Sequence, residues 1–375
     1  MKKIKSQLLW LHRWLGIITG LVVFLVSLSG CIYVFEEELR ATFQKDYLFV
    51  QPEGARKSVD QLLAIILTAH PKETITQLRF KEETNAAFIA ITQSDKAISV
   101  NPYTGSILGV RNLKADLLTL TIQFHETLFL GDVGKEIIKW NVLIFFFLCI
   151  TGLVLWWPKQ KRFLRQALTI KWNAKFKRVN WDLHSVLGFY ALIILVLISA
   201  TGIFWTFDNA KKLVSFATGA PITKTKAPEV PKQTPRVYSW QAAYDYCKNT
   251  YPGAYQVFIN QPPKPTEPLR VLMRYPYQVV RKQNTIFFHP ENGQVLRADL
   301  FANYTAYDKV MRSNFDFHTG RIPALGLFGK LLYFFASLIA TSLPVTGFII
   351  WWGRGAKKKK PLKQPVKIEL QPSLA

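Results

Sequence analysis

Four of the six histidines occupy equivalent places in two similar halves of the chain. His12 lies in the sequence Leu-His-Arg-Trp-Leu-Gly, and His184 lies in Leu-His-Ser-Val-Leu-Gly. His125 and His318 each follow a phenylalanine further along their halves. All four adjoin long apolar segments, where an imidazole is costly unless it faces the protein interior and finds a partner. A packing role would suffice for one such histidine, whereas recurrence in both halves favours a ligand role.

Two histidines from facing helices suit haem iron better than the other metals. Zinc prefers three or four protein ligands, and no cysteine or carboxylate cluster accompanies these histidines. Copper could use methionine, but the chain contains only three. A haem iron needs two axial ligands, and the lack of a Cys-x-x-Cys-His sequence excludes covalent attachment. We therefore predict two noncovalent b-type haems, one held by His12 and His184 and the other by His125 and His318.

A small-residue pattern accompanies the histidines. Each apolar segment carries a Ser/Thr-Gly pair near the end opposite its own histidine, namely Ser29-Gly30, Thr151-Gly152, Thr201-Gly202 and Thr346-Gly347. A glycine leaves room for a flat macrocycle, and it equally permits close packing of membrane helices, so both interpretations stay open.

Two arginines lie near the predicted ligands. Arg13 follows His12 directly, and Arg321 comes three residues after His318. Either guanidinium could pair with a haem propionate, and either could equally extend to the membrane interface. The remaining histidines, His70 and His289, correspond to Tyr251 and Asn101 in the other half. Neither of these positions demands an imidazole, so we expect surface or turn histidines there.

Four apolar segments must position the histidines. Each is long enough to cross a hydrocarbon core of about 30 Å, which needs about 20 helical residues; we place them at roughly 10–34, 137–157, 184–206 and 328–352. Lysines and arginines cluster before the first segment, in the loop after the second and after the fourth. Under the positive-inside rule both termini are cytoplasmic, and the two long connections lie outside the bacterial inner membrane.

The second and fourth segments begin some distance after a histidine. A continuous helix from His125 to Trp156 would be about 46 Å long, which exceeds the apolar core. We expect Gly131 and Gly134 to break it, so that His125 lies on a segment folded back onto the bundle. Gly320, Pro323 and Gly326 predict the same for His318.

The first segment also resembles a lipoprotein signal, because it ends in Leu28-Ser29-Gly30-Cys31. Its apolar run is long for a signal, and a similar segment recurs where no cleavage can occur. We therefore expect a retained helix.

The chain contains an internal duplication, with matching segments in the same order in both halves. Because each unit has two spans, the copies share one orientation and are parallel repeats. Alternating apolar residues at 86–91 and 269–273 predict strands between the spans, and 58–69 and 239–249 have helical periodicity. The predicted fold class is thus a membrane α-helical protein with four transmembrane helices in two parallel repeats and two external α+β domains.

The predicted boundaries follow from these elements. They are 1–35 (first helix), 36–120 (external domain 1), 121–158 (outer histidine and second helix), 159–182 (basic cytoplasmic loop), 183–206 (third helix), 207–312 (external domain 2, with a Pro-rich linker at 219–238), 313–353 (outer histidine and fourth helix) and 354–375 (basic cytoplasmic tail).

Composition agrees with this division. Of 375 residues, 49% are hydrophobic, which fits a mixture of membrane helices and water-facing domains. The net charge of +24 arises largely beside the apolar segments, so it favours membrane orientation over nucleic-acid binding. Three widely separated cysteines support neither a disulfide framework nor a thiolate metal site.

Over nearly its whole length the sequence resembles the PepSY-associated transmembrane-helix family, and within it the ferric-siderophore reductases. The resemblance rests on residues 11–16 and their echo at 183–188, on Phe-His-Glu-Thr-Leu-Phe at 124–129, on Thr-Gly-Leu-Val-Leu-Trp-Trp at 151–157 and on two external PepSY-like domains. It implies haem-based electron transfer to periplasmic ferric chelates, with His12, His125, His184 and His318 as ligands. Some relatives carry a flavin domain; we expect no flavin in this chain, and a separate reductase or quinol as the electron donor.

Two other functions compete with the reductase. PepSY-like domains are associated with protease inhibition, so the chain could be a membrane-anchored regulator without redox activity, although that leaves the matched histidines unexplained. Parallel repeats also suit a transporter, but two spans per unit make a thin pathway. If the reductase hypothesis holds, external basic residues are candidate contacts for an anionic substrate, namely Arg270, Arg274, Arg281 and Lys282.

Overall fold

The computed structural model describes residues 2–223, 227–230, 238–261 and 267–355. These residues form thirteen α-helices: α1 (Lys2–Val34), α2 (Glu36–Phe43), α3 (Lys45–Leu48), α4 (Val59–Ala69), α5 (Leu117–Thr127), α6 (Gly131–Trp156), α7 (Leu164–Ala167), α8 (Phe176–Asp182), α9 (Gly188–Thr206), α10 (Asp208–Thr218), α11 (Trp240–Thr250), α12 (Ala306–Thr319) and α13 (Gly326–Gly355). Half of the predicted linker at 219–238 and nearly all of the tail at 354–375 lie outside the described residues.

The described residues also contain eight strands. They are β1 (Ile75–Lys81), β2 (Phe88–Thr92), β3 (Lys96–Val100), β4 (Ile107–Asn112), β5 (Gln256–Asn260), β6 (Leu269–Arg274), β7 (Gln283–Phe288) and β8 (Val295–Asp299). The predicted strands at 86–91 and 269–273 correspond to β2 and β6, and the predicted helices at 58–69 and 239–249 correspond to α4 and α11.

Four helices are long and apolar enough to cross a membrane, at each place where the sequence predicts one. They are α1, α6, α9 and α13; α8 and a π-helical turn (Leu183–Leu187) lead directly into α9. Helix α1 packs against α6 and α13, and α9 packs against the same two helices, which closes a four-helix bundle.

The bundle is apolar on the outside and carries small polar groups within. Ile18 and Ile193 are 72% and 77% exposed, as expected for side chains that would meet lipid rather than protein. Asn141 and Ser199 are buried between helices, where the amide of Asn141 donates to the carbonyl of Thr19. Such buried polar groups mark helix contacts, because each must find a partner away from water.

Both strand-forming segments join one antiparallel sheet, in the order β4-β3-β2-β1-β5-β6-β7-β8. The central pairing is between β1 and β5, with Leu78 opposite Ile259. The sequence predicts two separate external domains. The sheet joins them because β1 and β5 would otherwise each present an unpaired edge.

One face of the sheet carries the apolar core, under α4 and α11. Leu78, Ile98, Val271 and Ile286 point into it and are fully buried with Trp240 of α11. The alternate residues of each strand point to the opposite face, since successive side chains in a strand alternate. That second face is turned toward the membrane bundle: Arg281, just before β7, pairs with Asp316 of α12.

Short fold-back helices connect the sheet to the bundle. Helix α5 ends at Thr127, and Leu128 and Phe129 then adopt positive φ before α6 begins at Gly131. A Cβ at Gly134 would lie 1.7 Å from the carbonyl oxygen of Thr127, so only glycine allows this reversal. The predicted break before the second span is confirmed.

The second fold-back uses α12. This helix ends at Thr319, Gly320 takes a φ of +71°, and a 3₁₀ turn (Pro323–Leu325) precedes α13. Helices α5 and α12 therefore return to the bundle end nearest the sheet. Contacts at the other end hold the basic segments together: Lys5 donates to the carbonyl of Trp157, and Lys177 donates to that of Gly353.

Candidate functional site

The structure brings the four predicted ligands together as two pairs. His12 of α1 faces His184 of the π-helical turn, with ring centres 6.4 Å apart and ring planes at 88°. We call these the basic-side pair, because they lie at the end of the bundle with the basic segments. His125 of α5 faces His318 of α12, with ring centres 6.2 Å apart and planes at 76°. These form the sheet-side pair.

Both separations fit two imidazoles on one metal ion. A metal–imidazole nitrogen bond is about 2 Å long, so rings that share an ion have their centres about 6 Å apart. Within the described part of the chain, no group of three or more His, Cys, Asp or Glu side chains is arranged to hold a metal. The donor set at each pair is thus two imidazoles, which suits an ion whose other ligands come from a macrocycle.

Hydrogen bonds fix the protonation of the basic-side rings. Nδ1 of His12 lies 2.8 Å from Oγ1 of Thr151, and Nδ1 of His184 lies 2.9 Å from Oγ1 of Thr346. Each threonine hydroxyl already donates to a carbonyl of its own helix, those of Phe147 and Ser342. The oxygen must therefore accept from an Nδ1–H, which leaves Nε2 of each ring with its lone pair free for a metal.

The sheet-side rings follow the same arrangement. Nδ1 of His125 lies 3.0 Å from Oγ of Ser29, whose hydroxyl donates to the carbonyl of Val26. Nδ1 of His318 lies 2.9 Å from Oγ1 of Thr201 and 3.1 Å from the carbonyl oxygen of Ile198. Because a carbonyl only accepts, this nitrogen carries its proton. All four histidines thus expose the same ring nitrogen, Nε2, as a ligand.

The glycines beside these hydroxyls contact the imidazoles. A Cβ added at Gly30, Gly152 or Gly347 would lie 3.2–3.5 Å from Cε1 of the histidine bound there. At Gly202 an added Cβ would lie 3.0 Å from Val142 and 3.7 Å from Cε1 of His318. The glycine of each pair therefore lets a histidine ring lie close against the neighbouring helix.

Two buried asparagines reinforce the second half only. Asn180 lies four residues before His184, and its amide donates to the carbonyl of Thr346 at 3.0 Å. Asn314 lies four residues before His318, and its amide donates to the carbonyl of Thr201 at 3.1 Å. Each asparagine thus fixes the helix that carries the threonine partner of its own histidine.

The basic-side pair opens into a cavity of about 720 Å³ between the helices. It is lined by His12, His184 and both adjacent glycines, with Trp156 and Trp351 among its aromatic walls. Apolar cavities of about 300–1,000 Å³ hold cofactors and other small molecules. Arg13 also lines this cavity, and its buried Nε has no hydrogen-bond partner. An unpaired guanidinium nitrogen beside two free imidazole nitrogens fits a group with acidic substituents, as haem is.

The sequence matches a known protein family. The model of the family described as PepSY-associated TM region matches residues 9–354. The chain belongs to this family. A search of curated proteins gave no match. The match includes all four helices that could span a membrane, so this PepSY-associated protein is a multi-pass membrane protein.

Arg321 of the PepSY-associated protein has other partners than those considered from sequence. Its guanidinium pairs with Glu36 at 3.1 Å and donates to the carbonyl of Tyr33 at 2.6 Å. The ring of Phe315 lies below it at 5.5 Å. Its contact with a haem propionate remains a prediction, whereas its connection of α2 to the end of α12 is a structural fact.

The other two histidines lie away from both pairs. Nδ1 of His289 accepts from the backbone amide of Glu291 in the turn before β8, just as Asn101 accepts from Tyr103 in the matching turn before β4. His289 therefore serves the turn. His70 ends α4 and provides the last backbone donor of that helix.

Sequence reasoning missed several residues of the site. It gave a role only to the glycine of each Ser/Thr-Gly pair, although the hydroxyls accept hydrogen bonds from the imidazoles. It also missed Asn180 and Asn314, whose spacing of four residues from a histidine was the available signal, and the π-helical turn around His184.

Proposed function

We propose that this protein carries electrons across the bacterial inner membrane through two b-type haems and reduces ferric chelates on the far side. The observation that carries the proposal is the pairing of four histidines at ring separations of 6.4 and 6.2 Å, each with Nδ1 bound to a hydroxyl. A bound haem would supply a one-electron Fe(III)/Fe(II) couple at each pair.

The chain's own groups perform the binding. His12 and His184 would hold one iron, and His125 and His318 would hold the other. The Ser/Thr hydroxyls fix each ring's tautomer and orientation, so that Nε2 keeps the lone pair that an iron would need. The apolar helices exclude water, and Arg13 is free to neutralise a propionate at the basic-side cavity.

The two pairs are placed for transfer across a membrane. Along α1, His12 and the Ser29 that contacts His125 are 17 residues apart, or about 26 Å. His184 and Thr201 have the same spacing along the third span. The hydrocarbon core is about 30 Å thick, so each pair lies near one face.

The basic segments orient the chain. With both termini and the 159–182 loop in the cytoplasm, the eight-stranded sheet is periplasmic and the halves are parallel repeats. Electrons then enter at the basic-side pair from a separate reductase or a quinol and leave at the sheet-side pair. Reduction of chelated iron to Fe(II) weakens its binding by hard oxygen ligands, which gives the reaction its use in iron release.

Purification with ample haem supply tests this proposal. We expect a red protein with two bis-histidine haems per chain and a reduced spectrum that ferric chelates reoxidise. A colourless protein would refute the haem assignment and favour a membrane-anchored regulator. If the protein binds haem but ferric chelates fail to oxidise it, the reductase activity alone is refuted.

A further inference from the structure

Four arginines on the bundle-facing side of the sheet have no carboxylate partner among the described residues: Arg79, Arg111, Arg270 and Arg274. Arg79 of β1 alternates with the buried Leu78 and Phe80, so it points away from the apolar core. The strand register places Arg111 of β4 and Arg274 of β6 on the same side. We call Arg79, Arg111 and Arg274 the arginine face.

Each guanidinium of the arginine face donates to a neutral amide, and two of them also lie over aromatic rings, Arg111 over Tyr47 and Arg274 over Phe258. The guanidinium of Arg79 donates to Gln77, that of Arg111 donates to Gln44, and that of Arg274 donates to Gln256. The buried Nε atoms of Arg111 and Arg274 have no hydrogen-bond partner. No carboxylate of the described residues pairs with any of these three arginines. The three guanidinium groups therefore make no direct ion pair with a described carboxylate, although Glu36, Asp116 and Asp316 act on them from a distance.

Two nearby arginines differ from these three, because each has a carboxylate partner. Arg40 pairs with Glu36 and Asp116, and Arg281 pairs with Asp316. The local carboxylates are thus already engaged. Desolvation and the neighbouring positive charges lower the pKa of Arg79, with Arg274 first among those charges. A guanidinium stays protonated even so, and a set of like charges at this spacing is favourable only with an anion between them.

Intervening charged side chains connect the arginine face with the helix that carries His318. Arg274 interacts electrostatically with Arg281, whose partner Asp316 is two residues from the ligand His318. Arg79 interacts with Glu36, which accepts from Arg321 at the end of α12. Arg79 keeps an exposed side chain, so a ligand can reach it from solvent.

We infer that the arginine face binds the ferric substrate, and that this substrate is an anionic, oxygen-rich chelate such as a hydroxycarboxylate complex. Arg79 and Arg274 are two strand spacings and two residues of register apart, about 12 Å between Cα atoms, which spans a chelate with several carboxylates. Guanidinium groups bind carboxylates in a bidentate manner, so they select charge and shape together. Arg281, a candidate contact from sequence, is held by Asp316 instead. The biological use of this binding rests on the proposed ferric reduction. Binding of the chelate can be measured by itself, because it needs no electron transfer.

A redox-inert probe separates binding from reduction. Gallium(III) citrate should bind the full-length protein in detergent in a manner that weakens as sodium chloride is raised. Arg79→Gln and Arg274→Gln should each weaken binding about tenfold, since each removes a charge-assisted contact. Lys114→Gln is the matched control, because it removes an exposed positive charge paired with Asp95 in the β2–β3 turn and should change affinity less than about twofold. A gallium complex of a cationic trihydroxamate should bind weakly and without dependence on the arginines.

The outcomes are distinct from those of the haem experiment. Unchanged citrate affinity in the double variant Arg79→Gln/Arg274→Gln would overturn the inference even in a fully active reductase. Loss of haem from that variant, with citrate binding kept, would also overturn it, since the arginines would then serve the propionates. Arginine-dependent binding to a protein without haem would support the anion site while refuting the redox proposal. Arg79→Lys, which keeps the charge, should restore part of the affinity and shows that any loss is not unfolding.

Discussion

The two histidines from the second half are held more firmly than the two from the first. His184 and His318 each follow, by four residues, an asparagine that donates to the backbone carbonyl of their threonine partner. The corresponding positions before His12 and His125 hold Leu8 and Thr121, which cannot make this contact. The hydroxyl bond to Nδ1, by contrast, is common to all four rings.

This difference distinguishes the hydroxyl contact, which every metal ligand needs, from the asparagine contact, which only the second half makes. A free Nε2 with a defined tautomer is needed at every ligand, so the hydroxyl recurs in both halves. The asparagine fixes the distance between two helices, and under the proposed function one such contact per pair suffices, because both rings of a pair would bind the same ion. Each pair therefore combines one histidine whose partner helix is fixed by an asparagine and one histidine without such a contact.

Replacement of a ligand should have the largest effect and should be equal in the two halves. His12→Ala and His184→Ala should each remove one of the two haems, because a bis-histidine site needs both rings. Pyridine haemochrome assays of the purified variants measure this loss. His70→Ala is the control, since His70 lies away from both pairs. If a ligand variant retained both haems, the pairing would be wrong.

Removal of a hydroxyl should come next, again equally in both halves. Thr151→Val and Thr346→Val remove the hydroxyl that accepts from Nδ1 of His12 and of His184, and the loss of such a partner costs about 10–100-fold in affinity. The serine variants keep the hydroxyl and should bind haem as the natural protein does. Titration of haem into the stripped protein measures the change, and equal affinities of the valine and serine variants would contradict the role of the hydroxyl.

The asparagine contacts should make the rate of haem loss differ between the two halves. Asn314→Ala removes one buried hydrogen bond worth about 1 kcal/mol, so haem should leave the sheet-side pair about fivefold faster. Thr121→Ala at the equivalent place before His125 is the matched control and should have no effect. Transfer of haem to excess apomyoglobin gives both rates. Equal rates in the two variants would show that the halves do not differ in this way.

A smaller effect concerns the start of the helix that carries His125. Asp116 caps α5 by accepting from the amide of Thr119 at 2.9 Å, and it pairs with Arg40. Although desolvation opposes the shift, these bonds lower the pKa of Asp116 to about 2. A carboxyl with a lowered pKa stabilises the fold above its unfolded pKa of about 3.9, and this contribution disappears as the pH falls toward 2.

Asp116→Asn should therefore destabilise the protein by about 1 kcal/mol at neutral pH and progressively less below pH 4. Thermal unfolding of the two proteins between pH 2 and 7 measures the difference. Asp46→Asn, at an exposed site without an ion pair among the described residues, is the control. A difference that persists unchanged at pH 2 would exclude Asp116 as the source.

Much of the fold was predictable, because the patterns that carry it are local. Apolar length predicts the four helices, and Gly131 correctly marks the reversal before α6. The turns at Gly105 and Gly293 have the positive φ expected of glycine. The joining of both strand segments in one sheet was not predictable, because the pairing of Leu78 with Ile259 depends on residues 181 positions apart.

Of the candidate site, too, the sequence predicts one part and not the other. Recurrence of His12, His125, His184 and His318 selects the four histidines that the structure brings together as two pairs. The partner of each Nδ1 lies 96–162 residues away in the sequence, so no local pattern reveals it. Arg281 likewise looks available for an anion in the sequence, whereas the fold places Asp316 against it.

By itself the sequence determined where the chain is apolar enough to enter a membrane and which histidines recur, because hydrophobic length and repetition are properties of the chain alone. The tertiary structure decided which ring faces which, which nitrogen stays free and which arginines remain without a carboxylate. These depend on the distance between side chains from different helices and strands, and only the packed fold sets that distance.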